Sequence, residues 1–115
     1  MFLQLAHTKL ESFKVSQELA MECYKITKNF PDSEKFAMCQ QIRGAALSVH
    51  LNIAEGCSRK SKPDRTRFYE IARGSVIEID AWNCLQVNYV KLEQLEHLGD
   101  NIIKTFKLLS GMIGA

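Results

Sequence analysis

The chain has 115 residues, the size of one domain with one core, so a second domain is not expected. Its hydrophobic fraction of 46% and charged fraction of 24% are globular values and exclude disorder. With 6 Gly and 2 Pro it lacks the turn signals that an all-β domain needs about every 8–12 residues, and a net charge of +2 says little about partners until it is mapped.

Hydrophobic steps of three and four predict four helices, at about 9–29, 34–55, 63–91 and 93–113. In the first, Phe13, Ala20, Tyr24 and Thr27 form a stripe flanked by Leu19, Cys23 and Ile26. Pro31 stops it, because the residue before a proline avoids helical geometry. Asp32 or Ser33 is the expected N-cap of the second helix, whose stripe is Ile42, Ala46, Val49 and Ile53. Gly56 is the expected left-handed stop.

Pro63 and Asp64 suit the first turn of the third helix. Phe68, Ala72, Ser75, Ile79, Trp82, Gln86 and Tyr89 carry its stripe, widened by Ile71, Val76 and Leu85. Leu95, Leu98, Ile102, Phe106, Leu109 and Ile113 are the expected buried face of the fourth. Four such helices with short links predict an all-α, antiparallel up-down four-helix bundle, a single domain over residues 1–115.

Some polar residues do not suit a plain bundle. Ser48, Asn52 and Glu55 lie along one line of the second helix, beside its apolar stripe. Glu55 sits in the last turn, where the helix dipole disfavours a carboxylate, so a cation is expected beside it; Arg59 and Arg73 are the candidates. Gly74-Ser75 inside the third helix implies close approach to a neighbour, with Asn52, Glu55, Ser75 and Glu78 in polar bonds near it. Such residues at a bundle seam more often fix register than perform chemistry.

Metal and catalytic patterns are missing from the sequence. A di-iron bundle needs Glu-x-x-His on two helices, and none of the three histidines follows a Glu by three. No glycine-rich phosphate loop is present, and no cofactor is expected. Cys23, Cys39 and Cys84 read as core residues, and Cys57 as an exposed loop thiol. Without a signal peptide or an apolar run of about 20 residues, a cytoplasmic protein without membrane contact is the expectation.

The charge map is more informative than its sum. Residues 40–73 hold seven basic and three acidic groups, and residues 76–101 hold one basic and five acidic. Arg59, Lys60, Lys62, Arg65 and Arg67 fall on the turn between the second and third helices, with Arg43 on the second. That run reads as a solvated face, as a phosphate-binding surface aided by the amides of the third helix, or as a surface for an acidic neighbouring subunit.

The motifs of this region resemble those of proteins encoded in intervening sequences of bacterial 23S ribosomal RNA genes. The related accessory variability determinant proteins of diversity-generating retroelements share them. The resemblance rests on Phe13 and Val15; on Tyr24, Thr27, Phe30 and Pro31; and on Gln41, Ile42, Arg43, Ala45, Ser48 and Val49. It continues through Asn52, Ile53, Ala54, Glu55, Gly56, Arg59 and Ser61, then Phe68, Ile71, Ala72, Gly74, Ser75 and Glu78. Gly44 and His50 depart from it, standing where many members carry Arg and Pro. The resemblance implies a four-helix bundle, often a ring-like homopentamer, with no known catalysis. It further implies a basic surface for RNA, a nucleoprotein or a reverse transcriptase.

Overall fold

The computed structural model describes residues 2–85 and 89–115. Four helices, α1 (Glu11–Thr27), α2 (Gln40–Cys57), α3 (Lys62–Asn83) and α4 (Leu92–Gly114), form the bundle. Each packs on the next, and α4 packs back on α1, so the helices stand at the corners of a square. The expected all-α four-helix bundle is what the chain forms, with dimensions of 43 × 28 × 21 Å.

The core runs along the axis of this square. Leu19 of α1, Ile42, Val49 and Ile53 of α2, Val76 and Ile79 of α3, and Leu98 and Leu109 of α4 are fully buried. Each such side chain contributes about 1.5–3 kcal/mol by leaving water. The α4 stripe is narrower than the sequence pattern implies: Thr105 is buried in it, and Phe106 lies partly outside at 38% exposure. Thr105 manages this because its hydroxyl donates to the Asn101 carbonyl one turn back. Ile71 and Leu85, expected to widen the α3 stripe, are exposed.

The helix ends differ from expectation in ways that have physical causes. Neither Asp32 nor Ser33 caps α2 through its side chain. The chain instead passes through a tight turn at Asp32–Glu34 and a wide π turn at Lys35–Cys39 before α2 begins. The π turn leaves Phe36 outside and brings Met38 and Cys39 into the core, where the Cys39 thiol donates to the Thr27 carbonyl. At the start of α3 the Ser61 hydroxyl accepts from the Asp64 amide, with Pro63 beside it.

The third helix ends at Asn83 rather than near residue 91. Asn83, Cys84, Tyr89 and Val90 are mediocre helix formers, and the chain must reverse here to lay α4 against α3. Gln86, placed on the α3 stripe, lies outside the described residues. The Tyr89 ring belongs to the link and packs against Phe30 at 5.1 Å. Cys84 caps the end of α3 as an exposed residue, not a core one, while Cys57 is half-buried.

The two central glycines also reverse their expected roles. No glycine has a positive φ, and Gly56 lies within α2 rather than beyond its end. A Cβ on Gly56 would stand 2.8 Å from the Phe68 Cβ and 2.9 Å from the Tyr69 ring. Gly56 is therefore the point where α3 closes onto α2. Gly74, expected at a close approach, has nothing within 4 Å of a Cβ and faces outward.

Gly56→Ala should therefore lower stability by about 1–3 kcal/mol, because the Phe68 Cβ is tied to the backbone and has no room to yield. Gly74→Ala should raise it by up to about 1 kcal/mol through helix propensity. Urea titration of both variants checks the pair.

Candidate nucleic-acid interface

The basic turn is built by its own arginines. Arg65 donates to the carbonyls of Lys60 (2.8 Å) and Arg59 (3.2 Å), which have no further helical partners at the end of the turn. Arg59 forms an ion pair with Glu55 one turn back, and its guanidinium lies 4.8 Å from the centre of the Phe68 ring. Arg67 lies 4.7 Å from the same centre and pairs with Asp64 at 3.5 Å. Phe68 thus holds two guanidiniums that would otherwise repel each other.

This arrangement sorts the six basic candidates. Arg65 and Arg59 are committed to the turn itself, although Arg59 keeps about two fifths of its side chain exposed. Lys60, Lys62 and Arg67 stand in solvent. Arg43 is elsewhere: its Nε donates to the Thr27 hydroxyl at 2.7 Å and its guanidinium lies over the Tyr24 ring at 4.8 Å. It rivets α2 to α1, and the structure does not bring it to the turn. The α3 amides from residue 63 to 65 are not free for phosphate either. Pro63 has none, the Asp64 amide goes to Ser61, and the Arg65 amide goes to the Ser61 carbonyl.

The polar seam between α2 and α3 holds part of the expected set. The Ser75 hydroxyl donates to the Ser48 hydroxyl at 2.9 Å, and the Asn52 amide donates to the Ser48 carbonyl and hydroxyl. Glu55 meets Arg59, not Arg73. Arg73 turns the other way, toward the Ser110 hydroxyl and the Phe106 ring on α4. Glu78 is exposed and outside the seam. The reason is angular: Arg73 and Glu78 lie off to either side of the line through Ser75.

Two further polar contacts gave no readable spacing in the sequence, since each joins residues far apart in the chain. Glu22 of α1 accepts from the Asn101 amide at 2.7 Å and meets His97 Nδ1 at 2.7 Å, tying α1 to α4. That bond raises the His97 pKa above its usual value. On the other side, Ser16 meets His50 Nδ1 at 2.8 Å while donating to the Phe13 carbonyl at 2.8 Å. With its only proton on that carbonyl, the hydroxyl accepts from Nδ1. His50 stacks on Phe13 at 4.2 Å, and burial lowers its pKa. Ser16 is fully buried, so the pair is a packing contact.

Among the described residues no group of three His, Cys, Asp or Glu is placed to hold a metal ion. Also among them, no helix is long and apolar enough to cross a membrane. A family model for the 23S rRNA-intervening sequence protein matches residues 8–111. The chain belongs to that family. A solved structure from Bacteroides thetaiotaomicron VPI-5482, of a protein with unknown function from the S23 ribosomal protein family, has the same fold. It is 27% identical with a TM-score of 0.80, over 90% of this chain and 99% of that one. No curated protein matches the chain.

Within this family bundle the roles of Arg43 and His97 are open to direct test. Arg43→Ala should cost about 1–3 kcal/mol of stability by orphaning its partners on α1, with RNA affinity at the turn unchanged; urea titration and binding assays on one preparation read both. The His97 contribution is fully present below its unfolded value near 6.5 and is lost as pH rises through the raised folded value. The His50 contribution has the opposite sign: it is present above 6.5 and lost as pH falls through the lowered value. His97→Ala should therefore melt below the wild type at pH about 6 and close to it at pH about 9; an equal gap at both would show that the Glu22 contact is not ionic.

Proposed function

We propose that the protein is a non-enzymatic, oligomeric adaptor that contacts RNA or a nucleoprotein through the basic turn between α2 and α3. The observation that carries this reading is the division of labour within the turn. Arg65 and the Ser61 cap fix its backbone, and Arg59 and Arg67 flank Phe68. Lys60, Lys62 and Arg67 are thereby presented to solvent from a fixed frame. A surface ordered in advance loses less entropy on meeting a phosphate backbone than a flexible one does. The name of the family and the ribosomal attribution of the Bacteroides relative support RNA as the partner.

With three exposed cations, the affinity is modest and falls steeply with salt, because each phosphate contact releases counterions. The second reading is a module whose surfaces serve only its own assembly. It draws on apolar residues left open on α3 and α4, among them Ile77 and Ile103.

Titration of labelled structured RNA across about 50–200 mM salt separates the two. The adaptor reading expects binding at the low end, and Lys60→Ala with Lys62→Ala and Arg67→Ala should flatten the log–log salt slope by about two to three. No binding at low salt, or equal binding by the triple variant, would sink the adaptor reading and leave the assembly module.

A further inference from the structure

The cations of the turn are of two chemical kinds, and their surroundings separate them further. Arg59 and Arg67 are flat, and each guanidinium lies over the Phe68 ring, 4.8 Å and 4.7 Å from its centre. Each also has a carboxylate, Glu55 for Arg59 and Asp64 for Arg67. Lys60 and Lys62 are exposed, and among the described residues no carboxylate pairs with either.

The two kinds therefore offer a nucleic acid different things. A lysine ammonium without a partner attracts phosphate as a point charge. A guanidinium already met by a carboxylate attracts phosphate less, but it keeps its planar face. Arg67 is the more open of the pair, with 62% of its side chain exposed against 39% for Arg59. Phe68 behind it and Asp64 at its Nη2 fix where that plane lies.

We propose that the Arg67 guanidinium, backed by Phe68, is a stacking platform for an unpaired base, so that the turn takes single-stranded segments of RNA rather than duplex. This rests on the RNA reading above and specifies which RNA. An unpaired base can be splayed out onto a guanidinium plane, whereas in a duplex both faces of a base are covered by its neighbours in the stack. Every base has such a face, so the contact tolerates sequence. Lys60 and Lys62 then take the phosphates that flank the stacked base. Arg65, on α3, holds the carbonyls of Arg59 and Lys60, so the lysine end of the turn is fixed relative to the helix that carries Arg67.

The supply of charge agrees with this division. Binding through phosphates alone strengthens with the number of phosphates neutralised. Two unpaired ammoniums supply little of that, and a stacked base adds what charge does not.

Fluorescence anisotropy on the full chain, at about 50 mM salt, compares labelled RNAs of equal length. One is an unstructured strand, one is the same strand paired with its complement, and one has abasic sites in place of its central bases. The unpaired strand should bind about tenfold more tightly than either of the others, which is the worth of one stacked base. Arg67→Lys keeps the charge and removes the plane. It should erase that preference and leave the salt slope and the helicity by circular dichroism unchanged. Lys60→Ala with Lys62→Ala should do the reverse: it should weaken binding to every RNA, flatten the log–log salt slope by about one to two, and keep the preference.

Absence of binding to all of these RNAs at low salt would overturn the RNA reading and the platform with it. Binding in which the duplex or the abasic strand matches the unpaired strand would overturn the platform alone and leave a turn that binds phosphate. A preference that survives Arg67→Lys would overturn the assignment to Arg67.

Discussion

The closure of α3 onto α2 at Gly56 is the constraint from which much else follows. A side chain at that position would occupy the space of Phe68 and Tyr69. With none there, the first turns of α3 lie directly against the last turns of α2, and the link between them is short. The short link forces Arg59, Lys60, Lys62, Arg65 and Arg67 into one small region. Five cations so placed need internal compensation. The three arginines receive it from Glu55, Asp64, two carbonyls and the face of one aromatic ring, while the two lysines stand in solvent.

The same closure explains the polar seam. Farther along α2 and α3, Ser48, Asn52 and Ser75 share hydrogen bonds where larger side chains would hold the helices apart. These are short side chains that satisfy one another, so burial costs them little. On the opposite flank, Arg43 and the His50–Ser16 pair tie α2 to α1 with longer reaches. The bundle therefore has one tight seam made of small residues and others held by extended polar side chains.

The motif residues gain physical roles from this geometry. Tyr24, Thr27 and Arg43 are distant in the chain but form a single contact, a guanidinium on a ring and a hydroxyl. Ser48, Asn52 and Ser75 form another. Gly56 meets Phe68 and Tyr69 in a third. Each motif block supplies one half of a contact whose other half lies on another helix.

The sequence by itself determined the helix count, the bundle and the family, because hydrophobic spacing is a local property that the chain carries wherever it packs. It also located the basic turn and narrowed the cation beside Glu55 to Arg59 or Arg73, since a carboxylate in a helix's last turn calls for a nearby positive charge. Where α3 stops, what Gly56 is for and which arginine meets which partner were decided only in the tertiary structure. Arg73 and Arg43 show why: an arginine reaches in several directions, and only the neighbouring helix fixes the one it takes. The same holds for the opening mixture of charges. Its blocks were visible along the chain, but which of their cations stand in solvent and which are spent on partners was decided only once four helices stood in a square.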